Sequence, residues 1–471
     1  MGVSTVRTAA TTLALSLSTT ALALAQNTAI VGATVIDATG RAPITNGVVV
    51  IENGKITAVG PAASTTIPAS ATRIDAQGKW VIPGLMDANL HLYLNGYLEE
   101  LIRFEGRYDQ VVLEGAQIAL KTGQTTVFDT WGPREELIKV RDMINAGKAV
   151  GSRIYLAGNI IGFSGPLGPD FFEQSAAHAT KAFVKRTNEH WEQGTGRDLL
   201  WMPPDTLRKA IRKYTGLGVD FLKFGASGHV DMNLMSFSER QMKVIVEEGH
   251  RAGMTVQTHV TSPESMDMAI EAGVDILTHG DISGPTYPIP DETIRKLVER
   301  NISVSVLAIT KRALDAQTEK NPNWILTPYM KISAINTRNM TKAGVKLLVS
   351  TDAGVENPVR AAESPTLAAD SVDARVKLGE GHFNALVALE EAGMAPMEVL
   401  KSITSNIAKA YKVDRELGTL EVGKAGDVVI LDADPLANAR NYRRINSVIK
   451  GGKVIDIASL PTAPLISNLK P

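Results

Sequence analysis

Six residues able to bind a metal or carry a proton stand at the ends of short apolar runs. They are Asn89 and His91 in PGLMDANLHL, Lys223 in FLKFG, His259 in VQTHV, His279 in ILTHG and Asp352 in VSTDAG. Side chains two apart on an extended strand point the same way, so Asn89 and His91 share one side. The chain has no cysteine, which removes disulfides, thiolate nucleophiles, Cys-ligated zinc and iron–sulfur clusters. Any metal must therefore rest on His, Asp, Glu, Asn or a modified Lys. Lys223 lies in an apolar run where a bare ammonium is costly, so carboxylation or an ion pair must answer for it.

Groups so far apart in the chain meet only if a fold gathers the ends of several strands. The apolar runs fall at Trp80 to Leu85, Thr125 to Phe128, Arg153 to Ala157, Asp220 to Phe224, Thr255 to Thr258, Asp275 to Thr278, Ile302 to Leu307 and Lys346 to Ser350. Amphipathic stretches such as SERQMKVIVEEGHRAG and PESMDMAIEAG lie between them, with Gly253 and Gly273 as helix C-caps. Eight strand–helix units predict an α/β fold, a (β/α)8 TIM barrel over residues 83–412, with its chemistry at the C-terminal ends of the strands. After the third run, Asn159 to Pro204 forms a long insertion carrying Phe171, Phe172, Trp191 and Trp201. It reads either as an excursion packed on its own aromatics or as a lid or substrate wall.

The two ends read differently. Alternating strands separated by Gly, Asn and Pro turns over 26–82, and again over 413–457, predict one small composite β-sandwich beside the barrel, followed by a tail at 458–471. Residues 1–25 hold one cation, Arg7, an Ala/Leu/Thr stretch and the small-x-small signal Ala23-Leu24-Ala25, which predicts a signal peptide and a secreted or periplasmic product starting at Gln26. No apolar run reaches the ~20 residues a bilayer requires, so no membrane partner is expected. The 49 Lys and Arg balance 50 Asp and Glu, which gives no electrostatic footprint for nucleic acid. A small-molecule substrate is expected.

The quoted motifs, with GQTTVFDTWG, HRAGMTVQTHV, EAGVDILTHG, TSNIAKA and LGTLEVGKAGDVVILDADP, resemble the amidohydrolase superfamily, most closely its imidazolonepropionase-like branch, over nearly the whole mature chain. That family normally has H-x-H on its first strand. The N-x-H of this chain looks like that of phenylurea hydrolase and molinate hydrolase. The resemblance implies that His259 and His279 bind a more exposed divalent metal, that Asn89, His91 and Asp352 surround a buried one, and that Lys223, carboxylated by carbon dioxide, bridges the two. Zinc suits these donors first, and manganese, cobalt or iron suit them as well. Because an amide oxygen is a poorer ligand than imidazole, one or two metals per chain are expected, the buried position being the weaker.

The implied chemistry is hydrolysis of a C–N bond in an amide, urea or carbamate, with Asp352 moving a proton from water to the departing nitrogen. Tyr93, Trp131 and His229 lie beyond strand ends where they can contact an aromatic or apolar substrate, and a homo-oligomer is expected. Two alternatives stand beside this reading. One is an N-acyl amino acid or dipeptide hydrolase, aromatic amide toxins included among its substrates, with Arg103 or Arg107 holding a free carboxylate. The other is a non-catalytic structural relative.

Overall fold

The computed structural model describes residues 27–93, 97–320, 326–359 and 376–470. The expected signal peptide at 1–25 lies outside the described residues.

Both ends of the chain build a single sheet. Strands β1 (Thr28–Val35), β2 (Ile44–Glu52), β3 (Lys55–Pro61), β4 (Thr72–Asp75) and β5 (Trp80–Pro83) come from the N-terminal part. The C-terminal part supplies β14 (Val428–Leu431), β15 (Ile445–Lys450) and β16 (Lys453–Ile455). The strand order is β16-β15-β14-β5-β1-β2-β3, with β4 also paired to β1. The two ends of the chain meet where β5 pairs antiparallel with β14, from Trp80 opposite Leu431 to Pro83 opposite Val428. Alternation explains the faces: Ile30, Val49, Ile51, Val81, Val428 and Ile430 pack on one side, and Ala29, Val48 and Val50 on the other. Asn53 and Gly54 turn β2 into β3 with φ of 52° and 77°, the left-handed pair that a tight hairpin requires.

Between these ends run eight parallel strands: β6 (Leu85–Leu90), β7 (Gln124–Asp129), β8 (Arg153–Leu156), β9 (Leu222–Gly225), β10 (Val256–His259), β11 (Ile276–Thr278), β12 (Ser303–Val306) and β13 (Leu347–Val349). They form the runs β6-β7-β8 and β13-β12-β11-β10-β9. One seam is joined through Ile161, whose N–H donates to the Lys223 carbonyl (2.8 Å) and whose carbonyl accepts from the Gly225 N–H (3.1 Å). At the other seam the Asp352 N–H donates to the Asn89 carbonyl (2.8 Å) and the His91 N–H to the Ala353 carbonyl (2.9 Å). The ring is a closed (β/α)8 barrel.

Two of its helices start at caps that the sequence supplies. Ser238 and Ser262 each form a capping box, at helices Glu239–Arg251 and Pro263–Ala272, and Gly273 ends the second with φ of 87°. Below the site, Phe128 stacks on Tyr411 with centroids 3.7 Å apart and meets Phe221 at 6.1 Å, an aromatic plug inside the barrel. The C-terminal tail docks on helix Tyr108–Lys121, with Ile466 buried and the Ile466 and Ser467 N–H groups donating to the Glu114 carboxylate. No helix among the described residues is long and apolar enough to cross a membrane.

One expectation needs correction. The run Trp80 to Leu85 is not the first barrel strand, because Gly84 divides it. Trp80–Pro83 belongs to the terminal sheet and Leu85–Leu90 opens the barrel. A Cβ on Gly84 would stand 2.1 Å from Thr125 Oγ1, so the chain can cross between the two sheets this close to β7 only with glycine there. The motif LMDANL is therefore the strand itself rather than the segment after it.

Candidate active site

Each of the six candidate groups reaches one end of the barrel. Asn89 is the penultimate residue of β6 and His91 follows the strand, Lys223 is in β9, His259 ends β10, His279 follows β11, and Asp352 lies three residues past β13. His279 and Asp352 leave their strands through left-handed backbone, with φ of 45° and 53°. Such a conformation costs a non-glycine residue about 1–3 kcal/mol and persists where the surroundings enforce it.

On the β6–β7–β9 side the groups satisfy one another. Asn89 Nδ2 donates to Asp352 Oδ1 (2.7 Å), and Lys223 Nζ donates to Asn89 Oδ1 (3.1 Å) and to Thr130 Oγ1 (3.0 Å). The Thr130 hydroxyl also donates to Asn89 Oδ1. His91 Nε2 lies 3.0 Å from Asp352 Oδ1. Burial pulls the Lys223 ammonium down to about 8, with Asp352 and Asp129 acting against that pull. Burial likewise lowers His91 although Asp352 opposes it.

The β10–β11 side is different. His259 is buried, and neither its Nδ1 nor its Nε2 has a hydrogen-bond partner. Its ring stands 4.7 Å from that of His279, whose Nε2 is 3.5 Å from Asp352 Oδ1. Burial and the neighbouring His279 hold His259 well below the usual imidazole range, so it is a neutral donor. Burial pushes the Asp352 carboxyl up, but the charge and hydrogen bonds of His279 and His91 outweigh it and keep the group ionised, well below the carboxylate range. Asp352 is also the accessible member, 25% exposed against 7% for His91 and 5% for His279.

The donor chemistry suits a divalent metal. The neutral His259 imidazole, with both nitrogens buried and unpartnered, stands beside His279 and a carboxylate, and such buried polar atoms are destabilising unless something satisfies them. Among the described residues no three of His, Asp or Glu already stand as a closed ligand set. Asp352 Oδ1 is instead shared between Asn89 and His91.

Aromatic side chains wall this end. Trp131 meets His91 edge-on at 6.0 Å and stacks on Phe171 at 4.0 Å, while its Nε1 donates to Asn159 Oδ1 (3.1 Å). Phe163 lies 5.6 Å from His259. His229 stands 5.4 Å from His259 and 4.8 Å from Phe171, with its Nδ1 2.9 Å from the Asp170 carbonyl. Both phenylalanines and Asp170 belong to the long insertion, so this segment supplies a wall of the site. Its two tryptophans do not share that role: Trp191 is buried against Tyr93 and Tyr108, and Trp201 is 88% exposed.

Residues 80–455 match the amidohydrolase family. The chain belongs to that family. It is 38% identical to molinate hydrolase, over 95% of this chain and 98% of that one, with a TM-score of 0.88. Phenylurea hydrolase B is 34% identical over 94% of this chain and 100% of its own, again with a TM-score of 0.88. The ochratoxinase of Aspergillus niger is 25% identical over 436 residues, 88% of this chain and 83% of that protein. Members of the amidohydrolase family typically use a divalent metal.

The structure thus gathers Asn89, His91, Lys223, His259, His279 and Asp352, with Trp131 and His229 beside them. Tyr93 does not join: it is buried among Tyr108 and Trp191 and its hydroxyl donates to the Glu100 carbonyl (3.3 Å). Residues not anticipated from the sequence are Thr130, which joins Asn89 to Lys223, and Phe163 and Phe171 in the wall. Asp129 was also missed. It is buried, pushed up to about 8 by burial, and accepts from the Leu92 N–H (2.7 Å) just below His91.

Proposed function

We propose that this amidohydrolase is a metal-dependent hydrolase of a C–N bond in an amide, urea or carbamate whose substituent is aromatic or apolar. The observation that supports this most directly is the buried, unpartnered His259 beside His279 and Asp352, with Phe163 against its ring and the stacked Trp131 and Phe171 in the same wall. The substrates of the three relatives, namely molinate, a phenylurea and ochratoxin, carry C–N bonds of these kinds. Zinc is the metal that the donor set suits first, with manganese, cobalt or iron as alternatives.

A divalent metal bound here supplies Lewis acidity and lowers the pKa of water. His259 and His279 would hold it, with Lys223 as its carbamate, and Asn89, His91 and Asp352 would surround a second, weaker position. The remaining work falls to this chain. Asp352 starts ionised and accessible, so its carboxylate accepts the proton of the attacking water and returns it to the departing nitrogen. Asn89 Nδ2 and His91 Nε2 fix that carboxylate in place. The aromatic wall seats the apolar substituent and excludes bulk water from the site. A peptidase-like reading needs a cation for a free carboxylate. Arg103 and Arg107 are both exposed, and Arg107 is occupied with the Phe104 ring and the Arg103 carbonyl.

The proposal extends to an exported, homo-oligomeric enzyme beginning at Gln26. The intact mass of periplasmic material checks the start, and residues 1–25 still present would refute it. The activity is tested with a panel of anilides, phenylureas, carbamates and N-acyl amino acids after metal reconstitution. Turnover confined to aryl-bearing neutral members supports the reading. Turnover that disappears when a substrate carboxylate is esterified would replace it with the peptidase.

A further inference from the structure

His229 is fixed in one tautomer by its surroundings. Its Nδ1 lies 2.9 Å from the Asp170 carbonyl, and a carbonyl only accepts, so Nδ1 carries the proton. Phe163 (6.2 Å) and Phe171 (4.8 Å) flank the ring. A neutral imidazole protonated at Nδ1 has a lone pair at Nε2, and Nε2 makes no hydrogen bond among the described residues. The residue keeps solvent-exposed surface while its ring stands 5.4 Å from that of His259. The Nδ1 tautomer therefore presents a hydrogen-bond acceptor beside the candidate metal ligands.

We infer that His229 Nε2 accepts a hydrogen bond from an N–H attached to the reacting carbonyl, so that the enzyme selects substrates carrying such an N–H: secondary N-aryl amides, ureas or carbamates. The inference rests on the proposed C–N hydrolysis. It adds a requirement that metal and aromatic wall alone do not impose, since both would take an N-methylated analogue. Asp170 and Phe171, from the insertion after β8, are positioning residues here: one orients the ring and the other limits its tilt.

The test compares an N-aryl amide with its N-methyl counterpart, using metal-loaded wild type, His229→Phe, His229→Asn and His229→Gln. Loss of one neutral hydrogen bond corresponds to roughly tenfold in kcat/KM. Wild type should prefer the N–H member by at least that factor, and His229→Phe should lose the preference. His229→Asn can keep the bond to Asp170 but cannot reach the Nε2 position, so it should behave like His229→Phe. The longer His229→Gln should restore part of the preference. Equal preference in wild type and His229→Phe would overturn the inference. So would a wild-type-like His229→Asn, which would show that only the tether matters, and so would loss of metal in His229→Phe, which would make His229 a ligand. If neither substrate is hydrolysed, the proposed function fails, and equilibrium binding of the same pair to wild type and His229→Phe still decides the role of His229.

Discussion

The two sides of the site handle burial in opposite ways. Around β6, β7 and β9, Asn89, Thr130, Lys223 and Asp352 form a hydrogen-bonded group in which the Asn89 amide serves both as donor and as acceptor. At the ends of β10 and β11, His259 has two buried nitrogens with no partner, and His279 is linked to Asp352 at 3.5 Å. A buried polar atom without a partner costs about 1–3 kcal/mol. The His259 side therefore gains most from a ligand, whereas metal binding near Asn89 must first break bonds that the protein already makes. The difference separates a side organised to bind from a side organised to hold Asp352 and Lys223 in place.

The largest effect is expected from the binding side. His259→Ala or His279→Ala should lose metal and lower turnover by about 10³-fold or more, since several kcal/mol of charge stabilisation are removed. With chelator present, thermal unfolding of His259→Ala should fall little, because no hydrogen bond of His259 is lost. A large fall in that chelated sample would break the comparison. Lys223→Ala should lose metal as well, with partial rescue by short carboxylic acids that replace the bridging oxygens. Metal-loaded, active enzyme carrying an unmodified Lys223 in a crystal structure would refute the carbamate. Asp352→Asn should keep its fold and turn over at least ~10²-fold more slowly, the usual scale for a positioned acid/base. Near-normal turnover in that variant would remove Asp352 as the proton carrier.

Smaller effects should come from the holding side. Thr130→Val leaves Asn89 Oδ1 and Lys223 Nζ each one partner short, at a cost of about 1–3 kcal/mol in unfolding free energy. Thr130→Ser should recover most of it. If chemical denaturation shows the valine variant as stable as wild type, the hydroxyl is not a joint of this group.

Much of this arrangement was legible in the sequence, because strand-end His, Lys and Asp residues mark a barrel mouth and the six groups do converge. Seven of the eight apolar runs coincide with barrel strands, and the eighth touches its strand only at Leu85. The exception, Trp80 to Leu85, fails because a continuous apolar run does not reveal a change of sheet. Only the crowding of Gly84 against Thr125 shows where the chain crosses. Thr130 was hidden for another reason. A threonine in a strand-end run has no periodic or chemical signature, and its partners lie 41 and 93 residues away. Tyr93 shows the converse: an aromatic at a strand end turned into the core, against Tyr108 and Trp191. Phe163 and Phe171 could not be separated from Trp191 and Trp201 by sequence, since all four belong to one insertion and only packing distinguishes wall from core from surface.

Metal stoichiometry measured by equilibrium dialysis against zinc, with elemental analysis of wild type, Asn89→Ala, Asn89→His and His259→Ala, tests the contrast most directly. The account predicts about one tightly held metal per chain in wild type, retained in Asn89→Ala, raised toward two in Asn89→His and lost in His259→Ala. Two equivalents of indistinguishable affinity in wild type, or metal lost as readily from Asn89→Ala as from His259→Ala, would contradict it.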